Sequence, residues 1–539
     1  MTPTEREAPV AAGDAGDDVR APASAGLARS TAVVALMTLA SRVLGLARDI
    51  VIANVFGARF EADAFFVAFK IPNLFRRLFA EGAFSQGFVP VLAELRAGGD
   101  LVAVRSLVSR VAGLLALVLF ALAALGALGA EQVLWVFAPG FGGVDSERGA
   151  LAAQLLRLTF WYLPLISLTA LCAGVLNSYG RFAVPAFTPV WLNVCLILAV
   201  LGLAPRLQTP ALALGWGVLA AGIVQLLFQF PSMARLGLLP VPRPSVRDAG
   251  VRRVLTLMLP AAFGASVGQI NLLIDTLLAS LLVTGSVSWL YYADRLMELP
   301  LGIFAIALAT VLLPQLSHEH ATADPQRFAR TLGKGLRLAL LLTVPAAAAL
   351  VVLAAPLIAT LFGYGAMGGD DVAQAAAALR AYALGLLGFT VVKILAPGYF
   401  ARQDTRAPVR IGVIALGANL VLNLTLIGPL AHVGLALATS LAACLNAGLL
   451  LRGLRARGDF DLGEGGAAQL WRVVAAAVVM AAVLFFARPT DGWWIAAAVE
   501  LRIGVLAGLV LLGLACYAGA LAVLGLGPRR LLVEYAQRD

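Results

Sequence analysis

Between Ser41 and Gln86 the chain carries Arg42, Arg48, Asp49, Asp63, Lys70, Arg76, Arg77 and Glu81 in surroundings apolar enough to sit in a bilayer. An ionised side chain facing lipid at the centre of a spanning helix costs roughly 2.5–3.5 kcal/mol, and three or four would cost about 10 kcal/mol. These groups are therefore expected to face a wet interior or one another. Spacing agrees: Ser41, Gly45, Arg48 and Asp49 share one helical face, and Asn73, Arg76, Arg77 and Glu81 share another. Two readings follow. Buried ion pairs, with Arg77 and Glu81 at i,i+4, would bind two helices together. A polar chamber would instead offer its surplus of cations over acids to an anionic ligand, and that surplus favours the chamber.

Further along, SWLYYADRLMELP puts Asp294, Arg295 and Glu298 on one short helical stretch, where Arg295 is either paired locally or turned towards the first-half arginines. A third group joins Asp275, alone in QINLLIDTLLAS, to Asn419 and Asn423, four apart, and to Thr439. One carboxylate with amide and hydroxyl oxygens suits a hard cation, but equally a hydrogen-bonded acid in a packed bundle. No HExxH or Walker A sequence is present, and the loops are short for a membrane glycosyltransferase.

The elements that must position these residues are spanning helices. The chain has 539 residues, is 61% hydrophobic and 13% charged, and has a mean hydropathy of +0.91, which places it among all-α polytopic membrane proteins. About fourteen spans are expected, near 30–56, 62–93, 105–136, 150–178, 184–204, 209–233, 251–282, 287–316, 331–362, 371–400, 408–427, 433–452, 470–487 and 495–525. Residues 1–28, rich in Ala, Gly, Pro and Asp, read as a disordered tail rather than a signal peptide. The net charge of +10 has a topological explanation. With a cytoplasmic N-terminus, Lys and Arg gather in the inside loops, most densely in MARLGLLPVPRPSVRDAGVRR. That places both termini in the cytoplasm and removes the case for nucleic acid as a partner. Cys172, Cys195, Cys444 and Cys516 lie in apolar runs without CxxC spacing and read as small core residues.

An internal repeat is also legible. Phe137–Gly140 matches Phe362–Gly365 and Arg105 matches Arg330 at an offset of 225, Pro90 matches Pro314 and Gly174 matches Gly398 at 224, and Arg157 matches Arg380 at 223. Spans one to six and seven to twelve are thus expected to form two pseudo-twofold-related six-helix lobes, an N-lobe over 29–234 and a C-lobe over 235–457. Residues 458–539, with two extra C-terminal helices, have no counterpart. Transporters of this plan bind substrate between their halves and alternate access. Prolines inside spans (Pro72, Pro164, Pro260, Pro300, Pro345) should bend helices around such a cavity.

The runs SRVLGLARD, ADAFFVAFKIPNLFRRLFAEGAFSQGFVPVLAE and GSVSWLYYADRLMELPLGIFAIALATVLLPQLS resemble the MurJ (MviN) lipid II flippases, and the similarity continues through GYFARQDTRAPV and GLALATSLAACLNA. The resemblance implies a bacterial inner-membrane protein of the multidrug/oligosaccharidyl-lipid/polysaccharide exporter superfamily. Such a protein moves lipid II, the undecaprenyl-pyrophosphate-linked peptidoglycan precursor, from the cytoplasmic to the periplasmic leaflet. It also implies that Arg42, Arg48, Asp49, Asp63, Asn73, Arg76, Glu81 and Arg295 line the substrate cavity, with Arg48, Arg76 and Arg295 holding the pyrophosphate. Guanidinium forks match phosphate oxygens as Lys does not. The C-terminal pair would form a groove for the polyprenyl tail. No cofactor is required, although Asp275, Asn419, Asn423 and Thr439 are similar to a sodium site found in some members. There Asn423 replaces an expected carboxylate and weakens the charge. Membrane lipid and the cell-wall synthesis machinery are the further partners implied. The alternatives are a related exporter of drugs or of other polyprenyl-linked glycans, a membrane enzyme, or a scaffold; a cationic cavity disfavours cationic drugs.

Overall fold

The computed structural model describes residues 21–77, 84–142 and 146–527, excepting the side chains of 21–32, 85, 86, 259–268, 306 and 307. The first half contains α1 (Ala21–Phe56), α2 (Phe60–Arg76), α3 (Phe84–Ala97), α4 (Leu101–Leu128), α5 (Ala130–Phe137), α6 (Glu147–Thr159), α7 (Tyr162–Ser178), α8 (Ala183–Leu198) and α9 (Leu212–Ala234). The second contains α10 (Ala249–Ser280), α11 (Ser286–Pro300), α12 (Ile306–Ala321), α13 (Pro325–Val352), α14 (Ala354–Leu361), α15 (Gly369–Phe400) and α16 (Arg406–Ala456). Then follow α17 (Gly466–Ala487), the short α18 (Asp491–Ala496) and α19 (Val499–Val523). The described residues are helical throughout apart from their connections.

Several expected spans resolve into more than one helix. The span expected over 62–93 comprises α2 and α3, and Glu81 lies between them, outside the described residues. The span over 287–316 is α11 and α12 joined by a π-helical turn at Leu301–Ala305, directly after Pro300. A π-bulge is one way a helix absorbs a proline's missing donor. Conversely, α16 is continuous in hydrogen bonding but broken at Ala431 (φ 47°, ψ −128°) just after Pro429, so it holds the two spans expected over 408–427 and 433–452. Ten helical stretches among the described residues, with α6–α7 and α11–α12 each taken together and α16 counted once, are long and apolar enough to cross a membrane. Residues 1–20 of the expected tail lie outside the described residues, whereas the Ala-rich 21–28 is already helical.

The repeat is visible in where helices begin. Asp100 caps α4, accepting from Val102 N and Ala103 N at 2.9 Å. Asp324, 224 residues on, caps α13 by accepting from Arg327 N at 2.9 Å. A side-chain oxygen at this position satisfies amides that the first helical turn leaves orphaned. The halves also touch reciprocally. Gly140 N donates to Ser280 Oγ (3.2 Å) at the end of α10, while Ala366 N donates to the Asn54 carbonyl (2.8 Å) near the end of α1. Residues 140 and 366 are 226 apart, as are 54 and 280.

Within lipid, apolar burial alone does not hold helices together, so close backbone approach and polar links matter more. Gly385 and Gly388 on α15 meet Ser440, Ala443 and Cys444 of α16 so closely that a Cβ on either glycine would overlap them. The seam between the halves is aromatic: Phe66 stacks on Tyr291 with ring centroids 3.9 Å apart, and Tyr292 lies edge-on to Phe66 and against Phe362. The C-terminal pair is anchored by Arg502 of α19. It is buried and donates to the carbonyls of Ala497, Ile495, Ala359 and Gly363 at 2.7–3.2 Å. Tyr517 adds a bond to the Leu341 carbonyl (2.7 Å).

Candidate functional site

Asp49, fully buried on α1, is the centre of the charged cluster. Its Oδ1 accepts from Arg48 Nε (2.9 Å), Arg48 Nη2 (2.6 Å) and the Tyr291 hydroxyl (3.0 Å). Its Oδ2 accepts from Arg295 Nε of α11 at 2.7 Å. Arg48 extends the network through Nη1 to Asn193 Oδ1 (3.2 Å) and Nη2 to Tyr291 (2.9 Å), while Asn193 Nδ2 donates to the Ser41 carbonyl (3.1 Å). Arg295 Nη1 reaches Glu298 at 3.3 Å. One carboxylate thus carries two guanidiniums contributed by opposite halves. Burial of such a group is tolerable only with partners of this strength.

The cluster forms one wall of a cavity of about 390 Å³, lined by Ser41, Arg42, Gly45, Arg48, Asn193, Arg295 and Glu298. Arg42 is packed so tightly on Gly302 that any side chain there would displace its guanidinium. A second cavity of about 570 Å³ adjoins along α8, with Pro189 lining both, and Arg76 opens onto it. Arg76 Nε donates to Asn73 Oδ1 at 2.7 Å. Of the residues singled out from sequence, Arg42, Arg48 and Arg295 therefore line one chamber, Asp49 stands behind two of them, and Asn73 orients Arg76 at the adjoining one.

Asp63 lies elsewhere. It is fully buried at the start of α11, where Oδ1 accepts from Ser288 N (2.9 Å) and Ser288 Oγ (2.7 Å), and Oδ2 from Gly285 N (2.7 Å) and Arg148 Nη2 (3.1 Å). An orphaned helix N-terminus and a cation compensate it, so it clamps the two halves rather than facing a ligand. Lys70 likewise crosses the seam, donating to Thr276 Oγ1 at 3.2 Å.

The Asp275 group assembles between α10 and both segments of α16. Asp275 Oδ1 accepts from Asn423 Nδ2 (2.8 Å), and Oδ2 from Asn271 Nδ2 and Thr439 Oγ1 (each 3.4 Å). Asn419 Nδ2 donates to Asn271. In this arrangement amide N–H groups and one hydroxyl meet the carboxylate, and the Oδ1 atoms of Asn419 and Asn423 are buried without a partner. Rotating those two amides would turn oxygens towards Asp275, a set that fits a monovalent cation. No cluster of three or more His, Cys, Asp or Glu suited to a metal occurs among the described residues.

Asn193 and Tyr291, which complete the Arg48 network, escaped the sequence reading. The only trace was a lone amide in the apolar PVWLNVCLIL and a tyrosine beside ADR.

Two helical halves around a cationic chamber define a membrane transporter of the two-lobed kind. A multidrug resistance MATE family transporter of the MOP superfamily in an inward-facing conformation shares this fold, with a TM-score of 0.64 at 14% identity over 79% of this chain and 97% of its own. A structure described as lipid II flippase MurJ, inward closed conformation, is nearer, at TM-score 0.75 and 26% identity over 91% of this chain and 99% of its own. The profile of the family described as lipid II flippase MurJ matches residues 52–503. A probable lipid II flippase MurJ of Vibrio cholerae is 46% identical over 93% of this chain and 96% of its own length. The lipid II flippase MurJ of Burkholderia cenocepacia is 43% identical over 93% and 98%. The chain belongs to the MurJ lipid II flippase family.

Proposed function

We propose that this protein flips lipid II across the bacterial inner membrane. The observation that carries the reading is the chamber wall: Arg48 and Arg295, from opposite halves, share the carboxylate of Asp49, Glu298 pairs with Arg295, and Arg42 on the same lining leaves a net cation where a pyrophosphate can be gathered. Forked guanidiniums offer paired N–H groups to phosphate oxygens, and low local polarity strengthens each contact. Because the two arginines are tied through Asp49, an anion that draws on both alters a link across the seam. Anion binding is thereby coupled to the relation between the lobes, as alternating access requires. Arg76 is assigned the third phosphate contact.

Both termini are assigned to the cytoplasm, on the strength of the arginine-rich connections between spans. The polyprenyl tail is assigned to the outer faces of α17 and α19, where large apolar side chains such as Leu511, Leu514 and Phe486 are exposed. Sodium is assigned to the Asp275 group as a coupling ion, on the evidence of the two unpartnered amide oxygens there. The cell-wall synthesis machinery would consume the delivered precursor.

The test is complementation in a bacterium whose own lipid II flippase can be shut off. Wild type should restore growth and periplasmic exposure of lipid II, whereas Arg48→Ala and Arg76→Ala, present in the membrane at equal amounts, should not. Growth of both variants at the wild-type rate would overturn the reading.

A further inference from the structure

Behind Arg76, the larger chamber runs into the first lobe between α7, α8 and α9, and its polar lining is unlike that of the arginine cluster. Thr169, Asn177, Thr188, Gln225 and Gln229 contribute hydroxyls and amides, and among the described residues no carboxylate lines it. Gln229 is fully buried, yet its Oε1 has no hydrogen-bond partner. Its orientation follows the bonds of its neighbours. Nε2 donates to Thr188 Oγ1 at 3.1 Å, and that hydroxyl has already given its proton to the Val184 carbonyl at 2.8 Å. With that hydroxyl proton committed to Val184, the amide N–H faces Thr188 and the oxygen is the atom left without a partner. Gln225 braces the same wall, donating to the Thr188 carbonyl (3.1 Å) and accepting from the Tyr162 hydroxyl (3.3 Å).

A buried acceptor left unmade costs free energy, and a polar cavity of about 570 Å³ is within the range that small ligands fill. The occupant should donate N–H or O–H groups, be neutral where it meets the amides, and carry an anion where it meets Arg76. A basic group would find no acid there among the described residues, and a purely apolar one would leave the amide unpartnered. We infer that this first-lobe cavity is a saccharide subsite that receives the N-acetylated sugar next to the pyrophosphate, with Gln229 Oε1 accepting from an acetamido N–H or a ring hydroxyl. The inference rests on the flippase reading and adds the part of the substrate that this lobe recognises. A polyprenyl pyrophosphate without sugar would engage the arginines only; the glycosylated lipid would engage both.

The experiment measures binding of purified full-length protein to undecaprenyl pyrophosphate and to lipid II, for wild type, Gln229→Leu, Asn177→Ala and Arg76→Ala. Leu keeps the bulk of Gln229 and removes its acceptor; Asn177 is exposed at the rim, so its replacement leaves packing intact should Gln229→Leu fail to fold. Gln229→Leu should weaken lipid II about five- to tenfold, the scale of one neutral hydrogen bond, and leave undecaprenyl pyrophosphate unchanged. Asn177→Ala should shift lipid II affinity the same way by a smaller factor, and Arg76→Ala should weaken both lipids. Equal effects of Gln229→Leu on both lipids, or none on either with Asn177→Ala also silent, would overturn the subsite and leave a water-filled cavity. Wild type that binds neither lipid would overturn the flippase reading itself, a separate failure.

Discussion

Asp49 and Asp275 stand at corresponding places in the two halves, 226 residues apart on the long helix that opens each. Asp49 is met by two guanidiniums and a phenol; Asp275 is met by two amides and a hydroxyl. Counting Arg42 and Glu298, which line the same chamber, the first assembly is net cationic, whereas the hydrogen-bond partners of Asp275 carry no charge. One backbone plan has therefore been furnished with different electrostatic character, and the choice lies in a few side chains brought in by other helices: Arg295 from α11 on one side, Asn423 and Thr439 from α16 on the other. The duplicated fold supplies the position, and the imported partners supply its meaning.

The contrast is most sharply broken at the carboxylates. Asp49→Asn strands the buried Arg48 guanidinium and takes from Arg295 one of its two acids, so it should cost about 3–5 kcal/mol, read as a large fall in melting temperature in detergent together with failed complementation. Asp275→Asn replaces a carboxylate among amide donors and should cost about 1 kcal/mol. Equal losses would erase the distinction. Next in size is Arg48→Lys, which keeps the charge but loses the fork; lipid II translocation in vesicles should fall about tenfold without vanishing. Full activity would count against bidentate phosphate recognition.

A smaller effect is expected from Gly302→Ala. Its Cβ would push the Arg42 guanidinium from its place at the chamber mouth. Translocation should drop several-fold while melting temperature holds; an unchanged rate would remove Arg42 from the path. The smallest concerns sodium. Replacing choline chloride by equimolar NaCl should stabilise wild type by on the order of 1 kcal/mol and leave Asp275→Asn unmoved. Identical melting curves in both salts would make the Asp275 group a hydrogen-bond network alone.

How far the sequence reaches differs between these sites. Arg48 and Arg295 were visible because ionised residues in apolar runs are expensive and must be explained. Asn193 and Gln229 were not, since a lone amide in a long hydrophobic stretch carries no periodic or charge signal. Asp63 was visible as a charge but its partners were not: besides Arg148 they are the amides of Gly285 and Ser288 and the Ser288 hydroxyl at the start of a helix more than 200 residues away, and backbone donors leave no mark in composition. The helix pair sharing 62–93 and the π-turn after Pro300 also lay below the resolution of hydropathy, which sees an apolar run and not its breaks.

Sequence alone determined that this is a helical membrane protein built from a repeat, because bilayer thickness and the cost of buried charge act on local composition and spacing. It also determined that a cationic stretch near the start must find company. Which acid that company is, which lobe lends the second arginine, and which buried amide is left with an unpartnered oxygen were decided only by tertiary structure. Those outcomes depend on helices distant in the chain meeting side by side, and pairing across such distances is set by packing geometry rather than by any local pattern.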